Sequence, residues 1–238
     1  MTQDRETPYD ADLMAAVTEL GTAMRELVET SVRTTVGSAE LRDAATEVRA
    51  VVERLAVSRR PASQLPVLDD PIAFRRVYNP VSGVGSALAP PLVIRQADGG
   101  VVAEATLGLA YEGPPSYLHG GMSGLFMDQL LGAAAIGAGL WGMTARLELD
   151  YRRPVPLQTP LVFRACVTES AGRKTVITGT IALAAEPDRA LVEARGVFVA
   201  PREELREAYF GAITDASGQH RPPGRPTDAT ALEQDPGA

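Results

Sequence analysis

Apolar side chains between residues 10 and 58 recur at three- and four-residue steps, the spacing of one face of an α-helix. They are Leu13, Val17, Leu20, Met24, Leu27, Val28 and, after a break, Leu41, Ala45, Val48, Val52 and Leu55. The break falls at Gly37-Ser38, and Ser38 or a neighbouring residue can cap a second helix. We therefore predict that residues 1–60 form an N-terminal helical extension, folded as a hairpin of two helices.

The pattern changes at residue 61 and again at residue 91. Residues 61–90 are rich in Pro, Gly and Ser, which predicts an irregular linker that wraps the following core. From residue 91 apolar positions alternate, and Asp98-Gly99-Gly100 separates two strand-like runs, the signal of a β-hairpin. Further strands are predicted at 142–152, 160–170, 174–185 and 189–200, with the last two turns at Gly172 and Pro187-Asp188.

The segment from Gly120 to Leu140 is apolar on nearly every side, as in a helix buried in a core. Two strands before it and four after it predict an α+β fold, with one long helix on one face of a sheet. We place this domain at residues 91–210, with a short final helix at Glu203–Phe210. The polar, Pro- and Gly-rich residues 211–238 are predicted to be a disordered tail.

A single charged residue interrupts the apolar helix. Asp128 is the only charged residue between His119 and Arg146. An isolated carboxylate in a core is costly unless it is neutralised, hydrogen-bonded or used in chemistry. Gly120-Gly121 opens the same helix, where backbone N–H groups can point at an oxygen atom. The two features together indicate chemistry at a carbonyl group.

Composition and charge narrow the classes of function. A net charge of −7 and a pI of about 5.0 argue against a general nucleic-acid binder. Two histidines and one cysteine, Cys166, cannot supply the usual zinc ligands or an internal disulfide. Asp128 and Gln129 argue against a membrane span at the apolar helix. Because the acidic N-terminus has no apolar core of a secretory signal, we expect a cytoplasmic protein.

Three segments together resemble the hotdog-fold thioesterases of the PaaI type. Residues 112–121, Glu-Gly-Pro-Pro-Ser-Tyr-Leu-His-Gly-Gly, are similar to the loop before the central helix of that family. Asp128 stands where those enzymes carry their catalytic acid, and residues 144–156 are similar to the following strand with its Pro-marked exit. The resemblance covers residues 75–200. It implies an antiparallel sheet wrapped around a long helix, and active sites at a twofold dimer interface.

Helix geometry places the Gly120 N–H and the Asp128 carboxylate of one chain far apart. Asp128 lies eight residues beyond Gly120, so a continuous helix places them about 12 Å apart. That distance is too long for both groups of one chain to serve one reacting carbon. Either the motif is not catalytic, or a second protomer supplies the other half. The resemblance implies the second case, in a dimer or a dimer of dimers.

The resemblance assigns roles to three residues of the central helix and the following strand. The Gly120 N–H would polarise the thioester oxygen, as in an oxyanion hole. Asp128 would activate a water as general base, or attack the carbonyl as nucleophile. Thr144 would position the acid or the water. The alternatives are a structural acid at Asp128 and an ordinary strand residue at Thr144.

The loop before the helix supplies the remaining candidates. His119 would orient the loop or hydrogen-bond near the thioester sulfur, although it could also only cap the helix. Gly121 and Tyr117 would lie on the substrate side, with ordinary packing as the alternative for Tyr117. Gly113 departs from the pattern, because some relatives carry an Asn there that contacts the substrate.

Basic residues near the predicted site suggest phosphate binding. Arg152-Arg153 follow the strand beside the motif, and Arg173-Lys174 occupy a hairpin turn. In similar proteins such residues hold the nucleotide phosphates of coenzyme A, although solvated turn charges are the simpler explanation. The coenzyme would enter as part of the substrate, and neither a metal ion nor another cofactor is expected.

These features favour an acyl-CoA thioesterase, a hydrolase that releases a free acid and CoA. The alternative is a non-catalytic acyl-CoA or lipid-binding hotdog protein, with the N-terminal helices closing the channel. A hotdog hydratase would need a His about five residues after the Asp, and Ala133 occupies that position. The sequence leaves open the acyl chain length, CoA against a carrier-protein thioester, and the role of the N-terminal helices.

Overall fold

The computed structural model describes residues 10–62, 64–70, 75–97 and 99–202. Its helices are α1 (Ala11–Arg33), α2 (Ser38–Ala56), a short 3₁₀ helix (Leu109–Tyr111) and α3 (Gly120–Gly137). Its strands are β1 (Arg95–Ala97), β2 (Gly100–Thr106), β3 (Met143–Tyr151), β4 (Pro160–Ala171), β5 (Lys174–Leu183) and β6 (Glu186–Val199). The element order confirms the predicted α+β fold. The helix predicted at Glu203–Phe210 and the tail 211–238 lie outside the described residues.

The six strands form one antiparallel sheet in the order β1-β2-β4-β5-β6-β3. α3 lies on one face of it, mainly against β4 and β5. Its buried side chains Phe126, Met127, Leu130 and Leu131 form the centre of the core with Phe163, Ile177 and Ile181 of the sheet. Gly179 makes this close packing possible, because a Cβ there would lie 2.5 Å from the terminal methyl of Met127.

Strand β3 is at one edge of the sheet and pairs only with β6 among the described strands. Most of its residues are exposed or half-buried. An unpaired strand edge carries free backbone N–H and C=O groups and is a ready surface for another chain. Like β1 at the opposite edge of the sheet, β3 can therefore be extended by a strand of a second protomer.

The turn between β5 and β6 corrects one sequence prediction. The chain reverses at Ala184 and Ala185, whereas Pro187-Asp188 already belong to β6. Leu183 pairs with Glu186 and Ala182 with Ala190, so residues 187–189 lie in a bulge that β5 does not pair. A proline is tolerated there because the missing N–H removes no ladder hydrogen bond.

The irregular segment before the sheet covers the other side of α3. Val81 and Leu92 are buried in the same core as the helix. The Asn79 side-chain amide donates to Gln129 Oε1 at 2.8 Å, which satisfies one of the polar groups of this apolar helix. α3 thus contacts both the sheet and this irregular segment.

The N-terminal helices differ from the predicted hairpin. α1 packs against the domain, with Met14 and Gly21 buried. α2 buries no residue, and its apolar side chains Leu41, Val48, Val52 and Leu55 remain exposed. The two helices therefore do not pack on each other as a closed pair. No helix in the described part of the chain has the length and hydrophobicity needed to cross a membrane.

Candidate active site

Asp128 lies on the margin of α3 that faces the edge strand. The Thr144 hydroxyl of β3 donates to Asp128 Oδ1 at 2.8 Å. The second carboxylate oxygen has no hydrogen-bond partner among the described residues. Asp128 is half-buried, whereas its neighbour Met127 is fully buried. The sequence suggested a fully buried acid, but helical geometry turns position 128 away from the core and towards the open edge of the sheet.

One backbone donor in the first turn of α3 has no acceptor among the described residues. His119 is the N-cap residue, and its Nδ1 accepts a hydrogen bond from the Gly121 N–H at 3.0 Å. The Gly120 N–H, one position earlier, has no acceptor among the described residues. His119 thus caps the helix, which was the alternative to a role near the thioester sulfur. It occupies the Gly121 donor and leaves that of Gly120 available.

Tyr151 contacts the start of α3, and we did not predict this contact from the sequence. Its hydroxyl, at the end of β3, donates to the Gly120 carbonyl oxygen at 2.8 Å. The bond ties the first residue of α3 to the edge strand. Tyr151 lies within residues 144–156, one of the three segments that carried the family resemblance. Its position in that segment was the only signal that could have indicated the contact.

The loop before α3 is closed by backbone hydrogen bonds. The Gly113 N–H donates to the Tyr117 carbonyl at 2.9 Å, and the His119 N–H donates to the Tyr111 carbonyl at 2.9 Å. A Cβ at Gly113 would lie 2.7 Å from His119 Cα, a contact that real side chains do not make. An Asn therefore cannot occupy position 113 without moving the loop. Tyr117 is exposed on the same loop, so it does not pack into the core of this chain.

The structure places Gly120 and Asp128 at different ends of β3. Gly120 contacts Tyr151 and Asp128 contacts Thr144, and these two strand residues are separated by roughly 23 Å of extended chain. Both groups belong to one uninterrupted helix, so the helical separation inferred from the sequence also applies. One chain therefore does not bring the free N–H and the carboxylate to a common carbon atom.

A cavity of about 740 Å³ opens on the sheet away from these residues. Its lining includes Arg164, Cys166, Thr178 and Arg195. These positions alternate with buried residues that face α3, so the cavity lies on the opposite face of the sheet. It contains none of the predicted site residues, and we assign no role in the site to it.

A solved relative matches most of this architecture. The crystal structure of a thioesterase superfamily protein is 35% identical, covers 77% of this chain and 94% of that protein, and superposes with a TM-score of 0.69. This chain belongs to the thioesterase superfamily. The sequence model of the superfamily matches residues 116–187, from the loop before α3 to the start of β6. Membership confirms the resemblance to thioesterases and the hotdog fold.

Curated relatives in the superfamily match a shorter region. Acyl-coenzyme A thioesterase THEM4 of Mus musculus is 35% identical over 74 residues, which are 31% of this chain and 32% of that protein. The THEM4 protein of Xenopus laevis is 38% identical over 63 residues, 26% of this chain and 28% of that protein. The match thus spans about a third, or less, of these curated relatives.

The two basic pairs lie at opposite ends of this thioesterase sheet. Tyr151, next to Arg152-Arg153, lies opposite Val192 on β6, whereas Lys174 lies opposite Val199. The separation along β6 is roughly 23 Å. Within one chain, the two pairs cannot hold the same phosphate group.

The individual basic side chains also differ in what they already contact. Arg152 forms an ion pair with Glu193 at 2.7 Å, and hydrogen bonding to Glu193, with the charges of Glu193 and Asp150, raises the pKa of Arg152. Arg173 Nη1 donates to the Ala200 carbonyl at 3.3 Å. Arg153 and Lys174 form no ion pair with the described residues. Among the four, these two are the most available for a phosphate.

Proposed function

We propose that this protein is an acyl-CoA thioesterase, which hydrolyses a thioester to a free carboxylic acid and CoA. The observation that carries the proposal is the Thr144–Asp128 hydrogen bond. It orients a carboxylate at the exposed margin of α3 and leaves one of its oxygens free to accept a proton. Membership of the thioesterase superfamily and the matched acyl-coenzyme A thioesterases support this choice of substrate.

The proposed active site is shared by two protomers of a homodimer. The Gly120 N–H of one chain and the Asp128 carboxylate of its partner flank one thioester. The distance between these groups within one chain requires such an arrangement, if both act on the same carbon. The free edge of β3, beside both groups, gives a second copy a place to pair.

In the proposed reaction, the thioester oxygen accepts a hydrogen bond from the Gly120 N–H. Asp128 takes a proton from a water, and the water oxygen bonds to the carbonyl carbon. The resulting oxyanion is stabilised by the same N–H. The C–S bond then breaks, the CoA thiolate leaves with the bonding electrons, and the proton held by Asp128 passes to the thiolate, which restores the carboxylate. Direct attack by Asp128 would give an enzyme-bound anhydride that water hydrolyses, and the geometry is compatible with both routes.

Free-thiol release from a panel of acyl-CoAs tests the proposal. The panel runs from acetyl- to palmitoyl-CoA and includes one aromatic acyl group. We expect turnover of at least one acyl-CoA of the panel. The acyl group with the highest kcat/KM indicates the size of the pocket. No turnover by a folded protein, combined with calorimetric binding of the same acyl-CoAs, would favour a non-catalytic binding protein instead.

Thr144→Val should lower kcat about tenfold, because a hydrogen bond to a charged group contributes about 1.5 kcal/mol. Valine keeps the shape of threonine and removes the hydroxyl that orients Asp128. Thr144→Ser keeps the hydroxyl and is the matched control, which should retain most of the activity. The measurement is kcat on the best acyl-CoA. Equal kcat values for Thr144→Val and wild type would show that Thr144 is an ordinary strand residue.

Arg153→Ala should raise the KM for acyl-CoA about fivefold, through the loss of a charge-assisted contact to a phosphate. Arg152→Ala is the matched comparison, and its effect should be smaller because Arg152 is already paired with Glu193. The measurement is KM for acyl-CoA and for the same acyl group on pantetheine, which lacks the nucleotide. Equal KM changes with both substrates would remove Arg153 from phosphate binding.

A further inference from the structure

Helix α1 contacts the domain at the segment that leads to the proposed active site. Glu29 Oε1 accepts a hydrogen bond from the Leu109 N–H at 3.2 Å, and Glu29 Oε2 accepts one from the Ala110 N–H at 3.0 Å. Both donors belong to the 3₁₀ helix Leu109–Tyr111. The carboxylate thus accepts two backbone donors about 80 residues further along the chain, and hydrogen bonds to an ionised acceptor are the stronger kind.

Gly108 makes room for this contact. A Cβ at position 108 would lie 2.3 Å from Glu29 Oε2. The backbone of Gly108 is extended, with φ −83° and ψ −180°, so any residue could adopt it without backbone strain. A side chain at this position would displace the Glu29 carboxylate, and the conformation of the chain would not prevent it.

The residue after Ala110 connects the contact to the first turn of α3. The Tyr111 carbonyl accepts the His119 N–H at 2.9 Å. The Tyr111 ring packs edge-on against Phe126 of α3 at 5.8 Å, and its hydroxyl donates to the Leu88 carbonyl at 3.2 Å. Burial raises the pKa of Tyr111 to about 12, against a lowering by Arg25 and with a further rise from Glu29.

α1 is attached to the domain by a second contact that does not involve Glu29. Arg25 Nη1 donates to the Val84 carbonyl at 2.8 Å and to the Ser86 carbonyl at 3.0 Å. Gly21 lets the helix approach closely, because a Cβ there would lie 2.2 Å from the Val84 oxygen. Loss of the Glu29 contact alone should therefore leave α1 attached.

We propose that Glu29 is a positioning residue, through which α1 fixes the segment from Leu109 to His119 and so the orientation of the Gly120 N–H. The inference rests on the proposed hydrolysis and gives the N-terminal helix a part in it. Glu29 touches no reacting atom in this arrangement. Its effect reaches the site through Tyr111 and His119, whose backbone groups are hydrogen-bonded to each other.

Three single-residue variants of the 238-residue chain test the inference by kinetics. Glu29→Gln keeps the size of the side chain but replaces one acceptor oxygen with a donor. Gly108→Ala keeps Glu29 but adds a methyl group that displaces its carboxylate. Glu26→Gln, an exposed residue of the same helix, is the control. We expect Glu29→Gln and Gly108→Ala to lower kcat about tenfold with KM unchanged, as small displacements of a catalytic group do, and Glu26→Gln to have no effect.

A double variant tests whether Glu29 and Gly108 affect kcat through the same contact. In the Glu29→Ala background, Gly108→Ala has no carboxylate to displace and should cause no further loss of kcat, whereas independent effects would multiply. Hydrogen exchange of peptides covering residues 109–124 gives a readout that needs no activity. Exchange there should be faster in Glu29→Gln than in wild type, and unchanged in Glu26→Gln.

The outcomes separate this inference from the proposed function. An active wild type, with kcat and exchange unchanged in Glu29→Gln, would overturn the inference and leave the proposed function standing. A lowered melting temperature without a change in kcat would overturn it as well, because a purely structural contact predicts that result. No hydrolysis by wild type would refute the proposed function and the catalytic part of the inference together. Faster exchange at 109–124 would then still support the control of this segment by Glu29.

Discussion

Asp128→Asn should lower kcat for acyl-CoA hydrolysis by about a thousandfold, within the range that a general base contributes. The amide cannot accept the proton of a water, and it is a far weaker nucleophile than a carboxylate. Its oxygen can still accept the hydrogen bond that Thr144 donates to Asp128 Oδ1. The change therefore removes the chemistry and keeps the contact. The measurement is thiol release at saturating substrate, alongside the melting temperature.

Asp188→Asn is the matched control for this substitution. Asp188 is an exposed aspartate in the bulge of β6, and the same loss of one negative charge there should leave kcat unchanged. Binding of acyl-CoA by Asp128→Asn should also persist, because the proposed phosphate contacts lie elsewhere. If Asp128→Asn turns over substrate as fast as wild type, Asp128 is a structural acid and the proposed mechanism fails.

Gly120→Pro should lower kcat about a hundredfold, the usual result of removing one oxyanion-hole donor. Proline replaces the N–H with a ring carbon, and the first position of a helix tolerates it. His119 already has the extended conformation, with φ −62° and ψ 130°, that proline favours in the residue before it. A Cβ at position 120 would lie 3.4 Å from the Tyr151 hydroxyl, an ordinary contact.

Gly120→Ala separates the two effects of the proline. Alanine adds a Cβ in the same place and keeps the N–H, so this variant should retain most of the wild-type kcat. An equal loss in Gly120→Ala and Gly120→Pro would mean that the added carbon atoms disturb the site. In that case the N–H would not be the reason for the loss.

The same two variants decide whether the active site spans two chains. Asp128→Asn and Gly120→Pro are each impaired alone, but a mixed dimer would contain one site with both native groups. Random exchange of equal amounts should restore about a quarter of the wild-type activity per protomer in a twofold dimer. Activity that stays at the average of the two single variants would place each active site within one chain.

The element pattern was largely predictable because it depends on local chemistry. The apolar run from Gly120 to Leu140 was predicted as the central helix, and the helix found there spans Gly120–Gly137. The β1–β2 hairpin formed where Asp-Gly separates two alternating runs, with Ala97 opposite Gly100. The failure at Pro187 shows the limit of such rules. A turn-forming dipeptide can also occupy a bulge, and only the pairing of β5 with β6 distinguishes the two cases.

The contacts of the site were predictable only in part. The spacing of Gly120 and Asp128 follows from the rise of one helix, so the sequence was sufficient to separate them. The side of α3 that Asp128 occupies was not predictable, because an all-apolar helix gives no period from which to orient it. The contact of Tyr151 with Gly120 and that of Glu29 with Leu109 join residues far apart in sequence.

The sequence by itself thus determined the three α-helices of the described residues, most strands, the acid in the apolar helix and the distance from that acid to the helix start. Each of these follows from periodicity, turn residues or the fixed geometry of a helix, all of which act over a few residues. The tertiary structure alone decided that Asp128 faces the open edge at β3, that the Gly120 N–H has no acceptor among the described residues, and that α1 contacts the 3₁₀ helix Leu109–Tyr111. These are hydrogen bonds and close approaches between distant segments, and such contacts leave no local pattern in the chain.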